Sequence, residues 1–105
     1  MKRSETARGF ALIQFADGYG AACSLQKSSA AAEPMVWLGV DAAEPRILAR
    51  QAAAHGVQTE ERTGWVPYPI PGAVSLTTRM HLSREQVAEL LPVLAHFVET
   101  GELPC

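Results

Sequence analysis

Hydrophobic and polar positions alternate with a period of two in short stretches of this chain, and this pattern predicts β-strands. From Ala21 to Ser28 the odd positions are mostly apolar and the even positions mostly polar, as in a strand with one buried face. The stretch from Val74 to Leu82 alternates in the same way. Residues 9–15 carry apolar side chains on both faces, which predicts a strand covered on both sides, and Met35–Asp41 is a short apolar run, which predicts a central strand. Asp17-Gly18 predicts a turn between the first two strands.

The last quarter of the chain carries the clearest helical pattern. Ser83 is predicted to cap the helix, and Gln86 three positions later completes a capping box. Gly101 is predicted to end the helix, and Pro92 lies opposite the apolar positions. We name the apolar positions at helical spacing the leucine stripe. They are Val87, Leu90, Leu91, Leu94, Phe97 and Val98.

A second helix is predicted over residues 41–56. Either Glu44 caps it, with Pro45 at the first helical position, or Asp41 does, with Pro45 inside the first turn. Gly56 is suited to the position just after the last turn.

Together these elements predict a single α+β domain. We expect a three- or four-stranded antiparallel sheet with the C-terminal amphipathic helix on one face. The shorter helix is expected at an edge or on the same face. Residues 1–8 are expected to form a flexible basic arm, and residues 9–103 the folded domain.

The segment from Val57 to Ala73 is long and contains three prolines, which is typical of a binding loop or of a flexible connection. Its large aromatic residues are Trp65 and Tyr68. Two interpretations remain open for them: they cover the core, or they contact a partner.

Composition and charge exclude several classes of protein. Hydrophobic residues make up 48% of the 105 positions and charged residues 19%, which is typical of a folded domain. The formal net charge of −2 gives no overall positive field for nucleic acid. No apolar run is long enough for a membrane helix. With only Cys23 and the terminal Cys105, no disulfide framework is expected, and a reducing cytoplasm is the predicted compartment.

Candidate catalytic chemistry is sparse. Ser24 and Lys27 match an S-x-x-K pattern, but on a strand they point to opposite faces. Cys23 is a candidate nucleophile, yet it shares the apolar face of its strand with Leu25. No spacing typical of metal ligands or of phosphate loops is present. We therefore predict no catalytic residue, no metal and no cofactor.

Four motifs resemble a family of small proteins of tailed phages and prophages. They are YGAACSLQKSS (19–29), VWLGVD (36–41), GWVPYPIP (64–71) and RMHLSREQVAELLPVLAHFVETGEL (79–103). The resemblance implies an origin in a phage or prophage, and small acidic phage proteins often bind and block a host protein. Inhibition of a host defence complex, as by anti-CRISPR proteins, is the sharpest form of this expectation.

The sequence therefore predicts a non-enzymatic protein that binds a host protein or ribonucleoprotein complex. The predicted contact residues are Trp65, Tyr68, Gln26, Lys27, Arg79 and His81. One alternative is a nucleic-acid-binding accessory protein that uses Lys2, Arg3, Arg8, Lys27 and Tyr19. A further alternative is a small enzyme using Cys23. A homodimer joined at an exposed sheet edge also remains open.

Overall fold

Seven strands are present in the computed structural model, which describes residues 1–105. They are β1 (Lys2–Glu5), β2 (Ala11–Ala16), β3 (Ala22–Lys27), β4 (Met35–Val40), β5 (Arg46–Leu48), β6 (Trp65–Pro67) and β7 (Arg79–Ser83). Five of them form one antiparallel sheet in the order β1-β2-β3-β4-β7. The helix α2 (Arg84–Thr100) follows β7 directly. The protein is thus α+β, as the sequence predicts, with five strands in the sheet instead of three or four.

The chain groups into two compact units. Residues 1–41 and 79–105 form the first, which contains the five-stranded sheet and α2. Residues 42–78 form the second, in which β5 pairs with β6 beside the short helix α1 (Ala49–Ala52) and a 3-10 turn. The prediction of one domain over residues 9–103 did not include this division.

The core of the second unit is small. Ala49, Ala52 and Val66 are buried, and Ile47 and Val57 pack against them.

The turn between β2 and β3 is fixed by Asp17. Its carboxylate accepts hydrogen bonds from the backbone N–H groups of Tyr19 and Ala21, at 2.8 and 2.9 Å. Gly20 has a φ of 84° within this turn. The left-handed conformation falls on Gly20, where the absence of a Cβ removes its cost. The predicted turn is confirmed, although the residue in the left-handed conformation lies two positions after Gly18.

The two faces of the five-stranded sheet differ sharply, because side chains alternate along each strand. We name one the apolar face. Lys27 lies at its margin, and the large apolar side chains and the cysteine of this face across β2, β3, β4 and β7 are Ile13, Phe15, Cys23, Leu25, Val36, Leu38, Val40, Met80 and Leu82. The other face carries most of the polar side chains and is described below.

Helix α2 lies over the apolar face and leaves a groove of about 420 Å³ between them. Leu25, Leu38 and Leu82 line the sheet side of this groove, and Leu91 and Leu94 line the helix side. None of the residues of α2 is buried. Val87, Leu90, Leu91 and Leu94 of the leucine stripe therefore line the groove, while much of the surface of the stripe remains exposed.

The ends of α2 follow the sequence closely. The Ser83 hydroxyl accepts from the Gln86 N–H at 3.2 Å, and the Gln86 side chain accepts from the Ser83 N–H at 2.9 Å, so the predicted capping box is confirmed. Gly101 adopts the left-handed conformation at the C-terminal end. The helix continues through Pro92.

The prediction of a flexible arm over residues 1–8 is wrong for residues 2–5, which form β1 and pair with β2. All four residues of β1 are exposed and polar, so the sequence has no hydrophobic alternation that would predict this strand. Residues 9–15 are also less covered than predicted. Leu12, Ile13 and Phe15 of β2 are half-buried, and its other residues are exposed.

The helix predicted over residues 41–56 is confirmed only from Ala49 to His55, as one turn of α-helix followed by a 3-10 turn. Residues 46–48 are extended because they pair with β6, and the Tyr68 N–H donates to the Pro45 carbonyl at 2.9 Å. Helix α1 begins only after Leu48, so neither Asp41 nor Glu44 caps it. Gly56 does end the segment in the left-handed conformation, as predicted.

The strand predicted from Val74 to Leu82 is half as long as expected. Only Arg79–Ser83 pairs, because β4 offers partners from Met35 to Gly39. Val74 and Leu76 lie before the paired region and are about half exposed.

Candidate interaction surface

The second face of the sheet gathers polar and aromatic side chains from three neighbouring strands. Gln26 of β3 stands opposite Trp37 of β4, and Trp37 stands opposite His81 of β7. Two residues further along each of these strands, on the same face, Ser24 of β3 stands opposite Gly39 of β4, and Gly39 stands opposite Arg79 of β7. We name this surface the aromatic–polar face. It consists of Ser24, Gln26, Ser28, Trp37, Arg79 and His81.

Arg79 reaches across the sheet from its edge strand. Its Nη1 donates to Gln26 Oε1 at 2.9 Å and lies 3.4 Å from Ser24 Oγ, although both acceptors are on β3. The position between them on β4 is Gly39, which has no side chain to block the guanidinium. Its carbon Cζ also lies 5.7 Å from the centre of the Trp37 ring. These contacts fix the direction of a positive charge on the sheet surface.

His81 stacks on Trp37. The ring centres are 4.0 Å apart and the planes are inclined by 16°. His81 Nε2 shares a hydrogen bond of 2.8 Å with the hydroxyl of buried Ser28. The stack and the hydrogen bond hold both rings in one orientation, so this part of the surface is preorganised.

A recess of about 270 Å³ opens beside Trp37. Phe10 and Trp37 line it with aromatic rings, and Gln26 and Ser29 add polar groups. Arg8 also lines it, with its guanidinium carbon 5.5 Å from the centre of the Phe10 ring. The recess therefore combines apolar walls with one cation and one amide.

The charge on the aromatic–polar face has one sign. The alternation of β1 adds Lys2 to the same side of the sheet as Arg79, since Lys2 pairs with Gln14 and Gln14 with Ser24. No aspartate or glutamate of the five strands falls on this face. A surface of this kind favours an anionic partner.

The structure brings together three of the predicted contact residues, Gln26, Arg79 and His81. Lys27 lies on the opposite side of the sheet, where its ammonium donates to the Ser28 carbonyl at 3.3 Å and its chain lines the groove under α2. The aromatic residues predicted in the proline-rich loop belong to the second unit.

Trp65 and Tyr68 differ in exposure within that second unit. Trp65 is 64% exposed, and Tyr68 is half-buried. A large exposed aromatic ring is typical of a contact residue. The interpretation of Trp65 as a mere cover for the core is therefore the weaker of the two.

The candidate nucleophiles lie in settings that disfavour covalent chemistry. Burial raises the pKa of the Cys23 thiol, and the charges of Asp17 and Asp41 act in the same direction. A thiol with a raised pKa stays protonated and is a weak nucleophile. Ser24 Oγ contacts Arg79 on the aromatic–polar face, while Lys27 is on the other side, as strand alternation predicts.

Sequence reasoning missed the centre of the surface. Trp37 belongs to an apolar run that predicts a central strand, and its alternation with Val36 and Leu38 gives the only hint of a separate face. The roles of Ser24 and Ser28 depend on contacts with β7, more than fifty residues further along the chain.

Two further observations describe the molecule as a whole. None of its helices has both the length and the apolar character needed to cross a membrane. No three side chains of His, Cys, Asp or Glu come together as metal ligands.

Among known proteins, no family model, no curated protein and no solved structure matches this chain.

Proposed function

We propose that this protein binds an acidic surface of a partner protein through its aromatic–polar face and acts by covering that surface, without catalysis of its own. The arrangement of Arg79, Trp37 and His81 carries this proposal. Tryptophan and arginine dominate the energetics of protein interfaces, and here both are held in place before any partner arrives.

The chemistry of the face supports an anionic partner. Arg79 donates to Gln26 through a single nitrogen, so its remaining N–H groups are available to a carboxylate. The recess beside Trp37 suits a side chain inserted from the partner, with Arg8 at its margin. Covering a surface requires no nucleophile, which agrees with the buried and protonated thiol of Cys23.

The resemblance to phage and prophage proteins directs the proposal to a host protein or ribonucleoprotein complex. Inhibition of a defence or replication complex is the outcome that we propose, with the bacterial cytoplasm as the compartment. Exposed Trp65 provides a second contact in the other unit.

The decisive experiment compares binding of three variants to a purified complex recovered from host lysate. Arg79→Glu and Trp37→Ala are expected to weaken saturable binding at least tenfold. Arg46→Glu is the matched control, because Arg46 is exposed and forms only a surface pair with Glu44. Equal binding by all folded variants, or no saturable partner at all, would refute the proposal.

A second candidate function is binding of single-stranded nucleic acid. The observation that favours it is the absence of carboxylates on a face with Lys2, Arg79 and an aromatic recess lined by Arg8. The other residues predicted for this function lie elsewhere. Arg3 and Lys27 point to the opposite side of the sheet, and Tyr19 is fully exposed in the turn after β2.

Salt dependence tests this second candidate. Three cations that neutralise phosphates predict a slope of log K against log salt of about −2. Fluorescence anisotropy with labelled single-stranded DNA and RNA at 50 and 200 mM salt measures it. No saturable binding at the lower salt concentration excludes this function and leaves the protein partner.

A further inference from the structure

We propose that two copies of this chain associate through α2, with the helix of each copy laid antiparallel along the helix of the other, over the groove above the apolar face. The dimer would be symmetric, so each residue pair occurs twice. It differs from a dimer joined at the sheet edge, since the contacts are made by side chains of the leucine stripe.

The groove remains open because of how α2 is attached. Ser83 is both the last residue of β7 and the cap of the helix, so no connecting residues lie between strand and helix. Without a loop, α2 cannot be repositioned to cover the leucines of its own sheet completely. The uncovered volume is about 420 Å³, and it is lined almost entirely by leucine, valine and other apolar side chains.

The exposed apolar area reaches the size that a stable dimer needs. Six large side chains of β7 and α2 are between 40% and 83% exposed, namely Met80, Leu90, Leu91, Leu94, Phe97 and Val98. A large side chain has a surface on the order of 200 Å², so about 100 Å² of each is available. Two copies would then bury about 1,200 Å², which is where stable protein interfaces begin.

The spacing of the leucine stripe fits a second helix of the same sequence. Its apolar residues recur at intervals of three and four, as in helices that pack in pairs. In an antiparallel pair centred between Pro92 and Val93, Leu91 would meet Leu94 of the second copy. Phe97 would meet Ala88, so a large side chain lies against a small one.

Charges at the two ends of the helix complement each other in the same arrangement. Lys27 and Arg84 line the groove near the start of α2. Glu102 lies just after the C-terminal end of the helix. An antiparallel second copy brings this carboxylate to the two cations, whereas a parallel copy would bring like charges together. This complementarity favours a second copy of the chain over an unrelated apolar segment.

Sedimentation equilibrium of the full chain from 1 to 200 µM tests the proposal. The expected mass is twice the 11.3 kDa of one chain. Leu94→Glu is expected to weaken association at least a hundredfold, because the dimer would bury its charge. Leu94 is already 52% exposed, so the variant should keep its fold, which circular dichroism verifies. His96→Glu places the same residue on the opposite side of the helix and should leave association unchanged.

A charge exchange tests the orientation of the helices. Glu102→Lys and Arg84→Glu should each weaken association several-fold, and the double variant should recover the loss. A wild-type monomer at 200 µM, or a dimer that Leu94→Glu leaves intact, would overturn the proposal. A double variant weaker than either single one would overturn the antiparallel arrangement.

Discussion

Replacing Arg79 by alanine tests the physical account of the aromatic–polar face most directly. The change removes the hydrogen bond to Gln26 and the contact with Ser24, which is only 3% exposed. It also removes the cation above the Trp37 ring. The folded unit should therefore lose stability even when no partner is present.

The magnitude follows from the individual contacts. A hydrogen bond from a charged donor contributes about 1.5–3 kcal/mol, and a cation–π contact at a partly exposed site about 0.5–1 kcal/mol. Fixing the arginine side chain in one rotamer costs conformational entropy on folding, and the alanine variant avoids this cost, which offsets up to about 2 kcal/mol of that sum. We expect the Arg79→Ala variant to lose about 2 kcal/mol of unfolding free energy. Arg79→Lys keeps the positive charge but not the planar guanidinium, and should lose about half as much unfolding free energy.

Urea unfolding followed by tryptophan fluorescence measures these differences. The control is Arg46→Ala, since the pair of Arg46 and Glu44 is more than half exposed on both sides and should contribute less than about 0.5 kcal/mol. If Arg79→Ala and Arg46→Ala are equally stable, the contacts across β4 do not hold the face together, and the reasoning is wrong.

Four further predictions concern the helix cap, the turn glycine and the two cysteines. Ser83→Ala breaks the capping box and should cost about 1 kcal/mol in urea unfolding, whereas an unchanged midpoint would contradict the cap. Gly20→Ala places a Cβ on a residue with left-handed φ and should lower the free energy of unfolding by about 1–2 kcal/mol. Gly18→Ala is the control, because Gly18 has no positive φ and this variant should keep its stability. Similar losses of stability in both variants would argue against backbone strain at Gly20. In the folded protein, a thiol reagent at pH 8 should modify exposed Cys105 quickly and Cys23 slowly. The fold raises the pKa of Cys23 above its ordinary value of 9.0, so the protonated thiol contributes its full stability below pH 9 and the free energy of unfolding decreases at higher pH. The Cys23→Ala variant should show a smaller decrease of unfolding free energy above pH 9.

Local signals predicted the elements that depend on local contacts. The capping box of α2 joins residues three positions apart, and Asp17 fixes its turn within four residues. Alternation also predicted the two faces of β3 correctly. In each case the residues that stabilise the element are neighbours in the sequence.

Long-range pairing decided the remaining elements. Residues 46–48 have helical neighbours, but pairing with residues 65–67 makes them extended. Strand β1 is held by backbone hydrogen bonds and carries only exposed side chains. The candidate surface depends on Arg79 meeting a serine 55 positions earlier in the chain. The hydrophobic pattern within one segment cannot predict a contact between residues so far apart in the sequence.

The direct passage from β7 into α2 has a consequence for how the length of this segment can vary. One residue inserted after Ser83 would turn the whole helix by about 100° and carry its apolar side away from the groove. One residue inserted within β7 would exchange its two faces and remove Arg79 or His81 from their partners. The segment from Arg79 to Leu94 should therefore keep a constant length among related sequences, while residues 30–33, which form neither strand nor helix, are free to lengthen or shorten.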